Sequence, residues 1–194
     1  FRSGWEVPEK HLELKLTVCC IPHLPCKNAA ERFPSIISAA FRQAESSGIR
    51  GNMFTADDAF LSGLYRNVAV DFALNNALRD GEGIEFGLQP IYSVKERRFT
   101  GAEALLRFHH ADLGIVSPTE LITIAERNGM ILELDRTMVG LTADFIRAND
   151  PANNLGIKRI GINLSAVDFI SAEIPQRLSD ILHEKGIDPN AVIF

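Results

Sequence analysis

The sequence predicts an α/β protein built on a mostly parallel sheet. Three observations carry that prediction. Short apolar strands alternate with helix-periodic segments of roughly 10–15 residues, which is the pattern of successive βαβ units. In the second half each strand keeps one apolar face for packing on helices. Stops rich in Gly, Pro and Asn punctuate the segments.

Residues 12–21, LELKLTVCCI, alternate and then run apolar, as a buried strand does, and Pro22 and Pro25 end it. From 29 to 47 the spacing of Phe33, Ile36, Ile37, Ala40, Phe41 and Ala44 is helical, and Ser46-Ser47-Gly48 closes the helix. Residues 51–55 form a short apolar piece suited to another strand. Residues 57–79 are again helix-periodic through Phe60, Leu61, Leu64, Val68, Phe72 and Leu78, and Asp80-Gly81-Glu82-Gly83 is a clear stop.

After that stop, IEFGLQPIYSV at 84–94 reads as a strand, Lys95-Glu96-Arg97-Arg98 as a polar hairpin turn, and 99–108 as a second strand. Ser117-Pro118-Thr119-Glu120 is a strong helix start: Ser at the N-cap, Pro at the first helical position and Glu completing a capping box. That helix stops at Asn128-Gly129, and a second spans about 132–147. KRIGINLSA at 158–166 is a third strand, 174–184 a helix, and NAVIF at 190–194 a fourth strand.

The chain has 194 residues, 46% of them apolar, and a net charge of −5. This is enough to bury a core as one good-sized domain or two small ones. Scattered Lys and Arg argue against a nucleic-acid polymer or a polybasic membrane-surface role. A small anion held by a few local cations fits better. No apolar run reaches the roughly 18–20 residues of a membrane span, and no signal peptide opens the chain. The first residue is Phe, so the start is expected to be cut from a longer protein. Cys19, Cys20 and Cys26 make no secreted disulfide framework, and reduced thiols in a cytoplasmic protein are the simpler account. With His23 they suggest a soft-metal site only weakly, because adjacent cysteines on a strand face opposite sides.

One stretch raises a chemical question. In TGAEALLRFHH, residues 100–110, a single acid stands among small and aliphatic neighbours. A carboxylate in a sheet core costs several kcal/mol unless a cation meets it. On an extended strand Glu103, Leu105 and Arg107 share a face, and on the third strand so do Gly161, Asn163 and Ser165. On adjacent strands the Glu103 and Asn163 oxygens can converge on one hard cation, and that pairing suits Mg²⁺ or Mn²⁺ far better than zinc. Arg107 lies on the same face toward the strand's C-terminal end, where a phosphate would approach. Taken singly, Glu103 equally suits a core carboxylate neutralised by Arg107 or a nearby Lys. Asn163 alone better suits a strand-end amide bonding the loop backbone. His109-His110 better suits a loop-anchoring pair than catalysis.

Four ordered motifs then add a resemblance. GLQPIYS, GAEALLRFHH, LGIVSPTELITIAERNGMI and INLSAVDF, in this order and spacing over about 110 residues, resemble the EAL domain of bacterial cyclic di-GMP signalling. The signature triplet is Glu103-Ala104-Leu105. The resemblance implies the first half, about four strands, of an EAL-type (β/α)₈ TIM-like barrel whose first strand is antiparallel to the rest. It implies Mg²⁺- or Mn²⁺-dependent hydrolysis of cyclic di-GMP to linear pGpG, with two ions expected in the intact domain. By position, Glu103 and Asn163 match metal ligands. Gln89, Leu105 and Arg107 match positions that contact the nucleotide, Arg107 at a phosphate. Pro118, Glu126 and Gly129 match structural positions, and Ala111 stands where Pro is common.

The same resemblance sets expectations about what is missing. The family barrel has eight strands, and its further metal ligands and a water-activating lysine come from later strands. The chain alone is therefore expected to be inactive, a half-barrel with two open edges that self-associates, as a homodimer for instance. Residues 1–56 weakly resemble the C-terminal end of a GGDEF domain, with 57–81 as a connecting helix and 82–194 as the EAL half. No Gly-Gly-Asp-Glu-Phe motif occurs, and Phe41-Arg42-Gln43-Ala44-Glu45-Ser46-Ser47-Gly48 departs from the active pattern. The alternative function is a degenerate, non-hydrolysing EAL module that acts as a cyclic di-GMP receptor or a protein-interaction domain. A third is a GGDEF-like remnant that serves only dimerisation.

Overall fold

The computed structural model describes residues 5–7, 10–12, 18–21, 29–46, 48, 53–166 and 174–194. They fall into two compact units, Phe1–Ala69 and Val70–Phe194.

In the first unit, β1 (Trp5–Val7) and β2 (Lys10–Leu12) pair antiparallel. Strand β3 (Val18–Cys20) runs parallel to β4 (Met53–Thr55), and α1 (Ala29–Ser46) lies between them in sequence. This is a small βαβ crossover. On α1, Ile36, Ala39 and Ala40 are buried and pack with Leu64 and Val68 of α2 (Asp58–Asp80). Asp57 caps α2, its carboxylate accepting the Phe60 N–H at 2.8 Å. The strand expected to be buried over 12–21 is corrected in its described part: Val18 and Cys20 are exposed, while Cys19 and Ile21 are half-buried against the small core. A three-residue strand in a two-stranded sheet has one covered face, so alternate side chains stay in solvent. Residues 13–17, Pro22, His23, Pro25 and Cys26 lie outside the described residues, as do Ser47 and 49–52.

The second unit is one five-stranded sheet in the order β5-β6-β8-β9, with β7 also on β6. Strands β5 (Ile84–Ser93) and β6 (Arg98–His110) pair antiparallel along almost their whole length, with a register shift between Ile91 and Tyr92. The turn joining them is polar, as its sequence requires. Arg97 takes a positive φ of 53°, and the Arg98 guanidinium binds the Glu96 carboxylate at 2.7 Å. Strand β7 (Gly114–Val116) folds back antiparallel on the end of β6. Strands β8 (Arg159–Ile162) and β9 (Val192–Ile193) then add in parallel.

Helices cover one face. In α3 (Pro118–Arg127) the expected N-cap is realised: Ser117 Oγ accepts the Glu120 N–H at 3.2 Å. Gly129, with a φ of 72°, supplies the left-handed turn that ends this helix region. Helix α4 (Ile131–Asn149) is followed by the single turn α5 (Pro151–Asn154), then β8, then α6 (Ile174–Glu184). Ala102, Ala104 and Phe108 of β6 and Ile160 and Ile162 of β8 are buried with Leu121, Leu134, Val139 and Leu178 from these helices. The small Ala pair lets the helices approach the sheet, and Phe108 fills the end of the layer. The third strand is shorter than its sequence suggests: the ladder ends at Ile162, and residues 163–165 have left it.

Candidate metal and substrate face

The face of β6 turned away from the helices carries Glu103, Leu105 and Arg107, all half-buried. Register places their neighbours. Gln89 pairs with Glu103 on the β5 side, and Gly161 pairs with Glu103 on the β8 side. Ladder partners in a sheet point to the same face, so Gln89, Glu103 and Gly161 form one row. In the next row Gly87 pairs with Leu105, and in the third Glu85 pairs with Arg107.

Two glycines open this face. A Cβ built on Gly161 would stand 3.6 Å from Glu103 Cγ, so the missing side chain leaves space beside the acid. A Cβ on Gly87 would stand 3.6–3.8 Å from the Arg107 guanidinium, which therefore lies over Gly87. Arg107 Nη1 donates to the Leu106 carbonyl at 2.9 Å and to the Leu105 carbonyl at 3.4 Å. It does not pair with Glu103. Among the described residues the Glu103 carboxylate meets no hydrogen-bond donor and no cation. A half-buried carboxylate left without a partner suits a divalent ion, because no cation among the described residues offsets its charge.

Asn163 is exposed and is the first residue past the last ladder pair, Ala104 with Ile162. It lies two residues beyond Gly161, about 7 Å along the strand direction from the Glu103 row. Glu103 thus lies on β6, and Asn163 lies one residue past the end of β8, the parallel strand beside it. Gln89 is exposed at the edge of the same row. Among the described residues no cluster of three or more His, Cys, Asp or Glu side chains forms a metal cage. Cys19 and Cys20 are free thiols, and burial, with Cys20 beside it, raises the Cys19 thiol above its ordinary pKa.

Ser165 behaves differently from the sequence expectation. It does not continue the Asn163 face; its N–H donates to Asp135 Oδ2 at 3.1 Å, and its Oγ donates to Glu126 Oε1 at 2.6 Å. Both acids come from the helix layer. Asp135 was not singled out by the sequence, and its signal there is faint: one acid in the apolar run of α4. Gly87 and Gly161 were legible in principle, since a Gly inside a strand marks close approach.

A separate cleft of about 290 Å³ lies beside the end of β6, between Asn76, Asp80, Glu82 and the pair His109-His110. It contains none of the five residues above. His110 Nδ1 accepts the Asp112 N–H at 3.2 Å, which anchors the turn into β7.

The sheet pairs its first strand antiparallel and its next strands in parallel, with an acid and an amide at its open face. The EAL domain profile matches residues 72–194, and the chain belongs to the EAL domain family. It is 31% identical over 151 residues to the probable cyclic di-GMP phosphodiesterase PdeI of Escherichia coli, covering 75% of this chain and 19% of that protein. It is 29% identical over 126 residues to the cyclic di-GMP phosphodiesterase PdeL of the same organism, covering 64% of this chain and 34% of that protein. The chain therefore spans about a fifth to a third of the length of these relatives. Its fold matches a solved structure described as the PaMucR phosphodiesterase in complex with c-di-GMP, with a TM-score of 0.58 at 22% identity over 64% of this chain and 49% of that one. Among the described residues no helix is long and apolar enough to cross a membrane.

Proposed function

We propose that this chain is part of a cyclic di-GMP-specific phosphodiesterase that opens the cyclic dinucleotide to linear pGpG. The observation that carries the reading is the unpartnered Glu103 carboxylate beside the space at Gly161, within a chain of the EAL family. Glu103 and Asn163 would hold Mg²⁺ or Mn²⁺, since their donors are the hard oxygens these ions prefer. When bound, two such ions neutralise phosphate charge and lower the pKa of the attacking water. Arg107, folded over Gly87 and braced by two carbonyls, presents its remaining N–H groups to a phosphate oxygen. Leu105 offers an apolar wall to a base, and Gln89 a hydrogen-bonding edge in the Glu103 row.

The finer identity of residues 1–56 belongs to the same proposal. A GGDEF-like remnant is supported by the β3–α1–β4 crossover, and by nothing catalytic. Homodimerisation and a cytoplasmic setting are likewise proposals.

The test incubates the full-length protein with cyclic di-GMP and Mg²⁺ or Mn²⁺ and follows pGpG, with Glu103→Ala as control. Turnover by the wild type and loss in the variant supports the reading. Tight cyclic di-GMP binding without turnover would favour the receptor alternative instead.

A further inference from the structure

We propose that Asp135, together with Glu126, is a positioning residue that fixes Asn163 at the open face of the sheet. This inference rests on the metal reading above for its functional meaning, and on geometry for its substance.

Asn163 is bracketed. On its N-terminal side Ile162 is locked by the ladder to Ala104 and by burial in the core. Two residues later, Ser165 is tied by two hydrogen bonds to two different helices, through its backbone to Asp135 on α4 and through its hydroxyl to Glu126 on α3. A chain leaving a strand has free φ and ψ at each residue. Fixing both ends of a three-residue segment leaves Asn163 little room to wander. The clamp also explains where β8 ends, because the bond to Asp135 draws the backbone toward the helix layer just past Ile162.

The two acids differ in kind. Asp135 is 6% exposed, so its charge is held out of water and a hydrogen bond to it is strong. Glu126 is exposed and reaches in with one oxygen. Asp135 therefore sets the backbone, and Glu126 trims the turn. Neither side chain lies in the Glu103 row. Both act through Ser165, in the way groups behind a ligand orient it.

The experiment compares full-length wild type with Asp135→Ala, Ser165→Ala and Glu126→Gln. Hydrogen–deuterium exchange over 163–166 and Mn²⁺ affinity by electron paramagnetic resonance are measured, with thermal melting as a control for folding. Asp135→Ala, which removes the acceptor, is expected to speed exchange at Ser165 by about tenfold and to weaken Mn²⁺ binding by about tenfold, the lower end for residues that support metal ligands. Ser165→Ala, which keeps the backbone bond, should show a smaller change in both. Glu126→Gln, whose amide oxygen still accepts from the hydroxyl, should stay near wild type. Unchanged exchange in folded Asp135→Ala overturns the proposal, and so does faster exchange with unchanged Mn²⁺ affinity. If Asp135→Ala fails to fold, Asp135→Asn, which keeps one acceptor oxygen without the charge, decides by the same two readouts. A wild-type protein that binds no Mn²⁺ sinks the metal reading instead, and exchange alone then judges the clamp.

Discussion

Gly161 stands directly across the ladder from Glu103, and the volume a side chain would fill there lies against the Glu103 Cγ. The acid owes its open flank to this glycine. A β-branched residue suits a strand better than Gly does, so the position is not explained by strand formation. Gly161→Val should fold with an unchanged or higher melting temperature, yet weaken Mn²⁺ binding by at least about tenfold. Gly161→Ala, whose Cβ makes ordinary contact, should be close to wild type. Equal Mn²⁺ affinity in the Val variant would show that the space has no role.

Arg107 is braced by carbonyls rather than by an acid. Lys at this position keeps the charge but cannot grip two carbonyls and a phosphate together. Arg107→Lys should raise KM for cyclic di-GMP by about tenfold with a smaller change in kcat. Gly87→Leu should do the same by displacing the guanidinium, without touching any charge. A kcat loss at constant KM would move Arg107 from ground-state binding to another role.

Phe108 is 1% exposed and fills the end of the sheet–helix layer. Phe108→Ala should cost about 3–5 kcal/mol, read from denaturant unfolding. A loss below about 1 kcal/mol would mean that the layer collapses around the gap.

The turn between β5 and β6 gives a pH signature. Hydrogen bonding to Arg98 holds the Glu96 carboxyl below its ordinary pKa. A carboxyl lowered on folding adds stability above its unfolded pKa and loses it as pH falls through the folded value. Both partners are solvent-exposed, so the effect is small. Arg98→Ala should melt slightly below wild type at pH 7, and the gap should close at pH 2–3. A gap that persists in acid would assign it to packing of the Arg98 stem instead.

Much of the second unit was legible from local signals. The strand pair β5–β6, its polar turn, the Ser117–Glu120 cap and the helix 174–184 follow from periodicity and turn chemistry that act within a few residues. The extent of β8 was not legible. Residues 163–165 keep an alternating strand pattern, but two acids 30 and 39 residues away draw Ser165 out of the ladder. Strand β7 escaped for a different reason: three residues after a turn are too few for a period to register. At the open face, the types and shared side of Glu103, Leu105 and Arg107 were readable from the alternation of a strand. The lie of the Arg107 guanidinium over Gly87 was not, because Gly87 belongs to the paired strand, 20 residues earlier in the sequence.

On the proposed function, Glu103 and Asn163 share one divalent cation. Mn²⁺ titration of the full-length protein, followed by electron paramagnetic resonance for wild type, Glu103→Gln, Asn163→Ala and the double variant, tests it most directly. Each single variant should weaken binding, and the double variant should be little worse than Glu103→Gln alone, because both remove ligands of one ion. Fully additive losses, or wild-type affinity in both single variants, would contradict it.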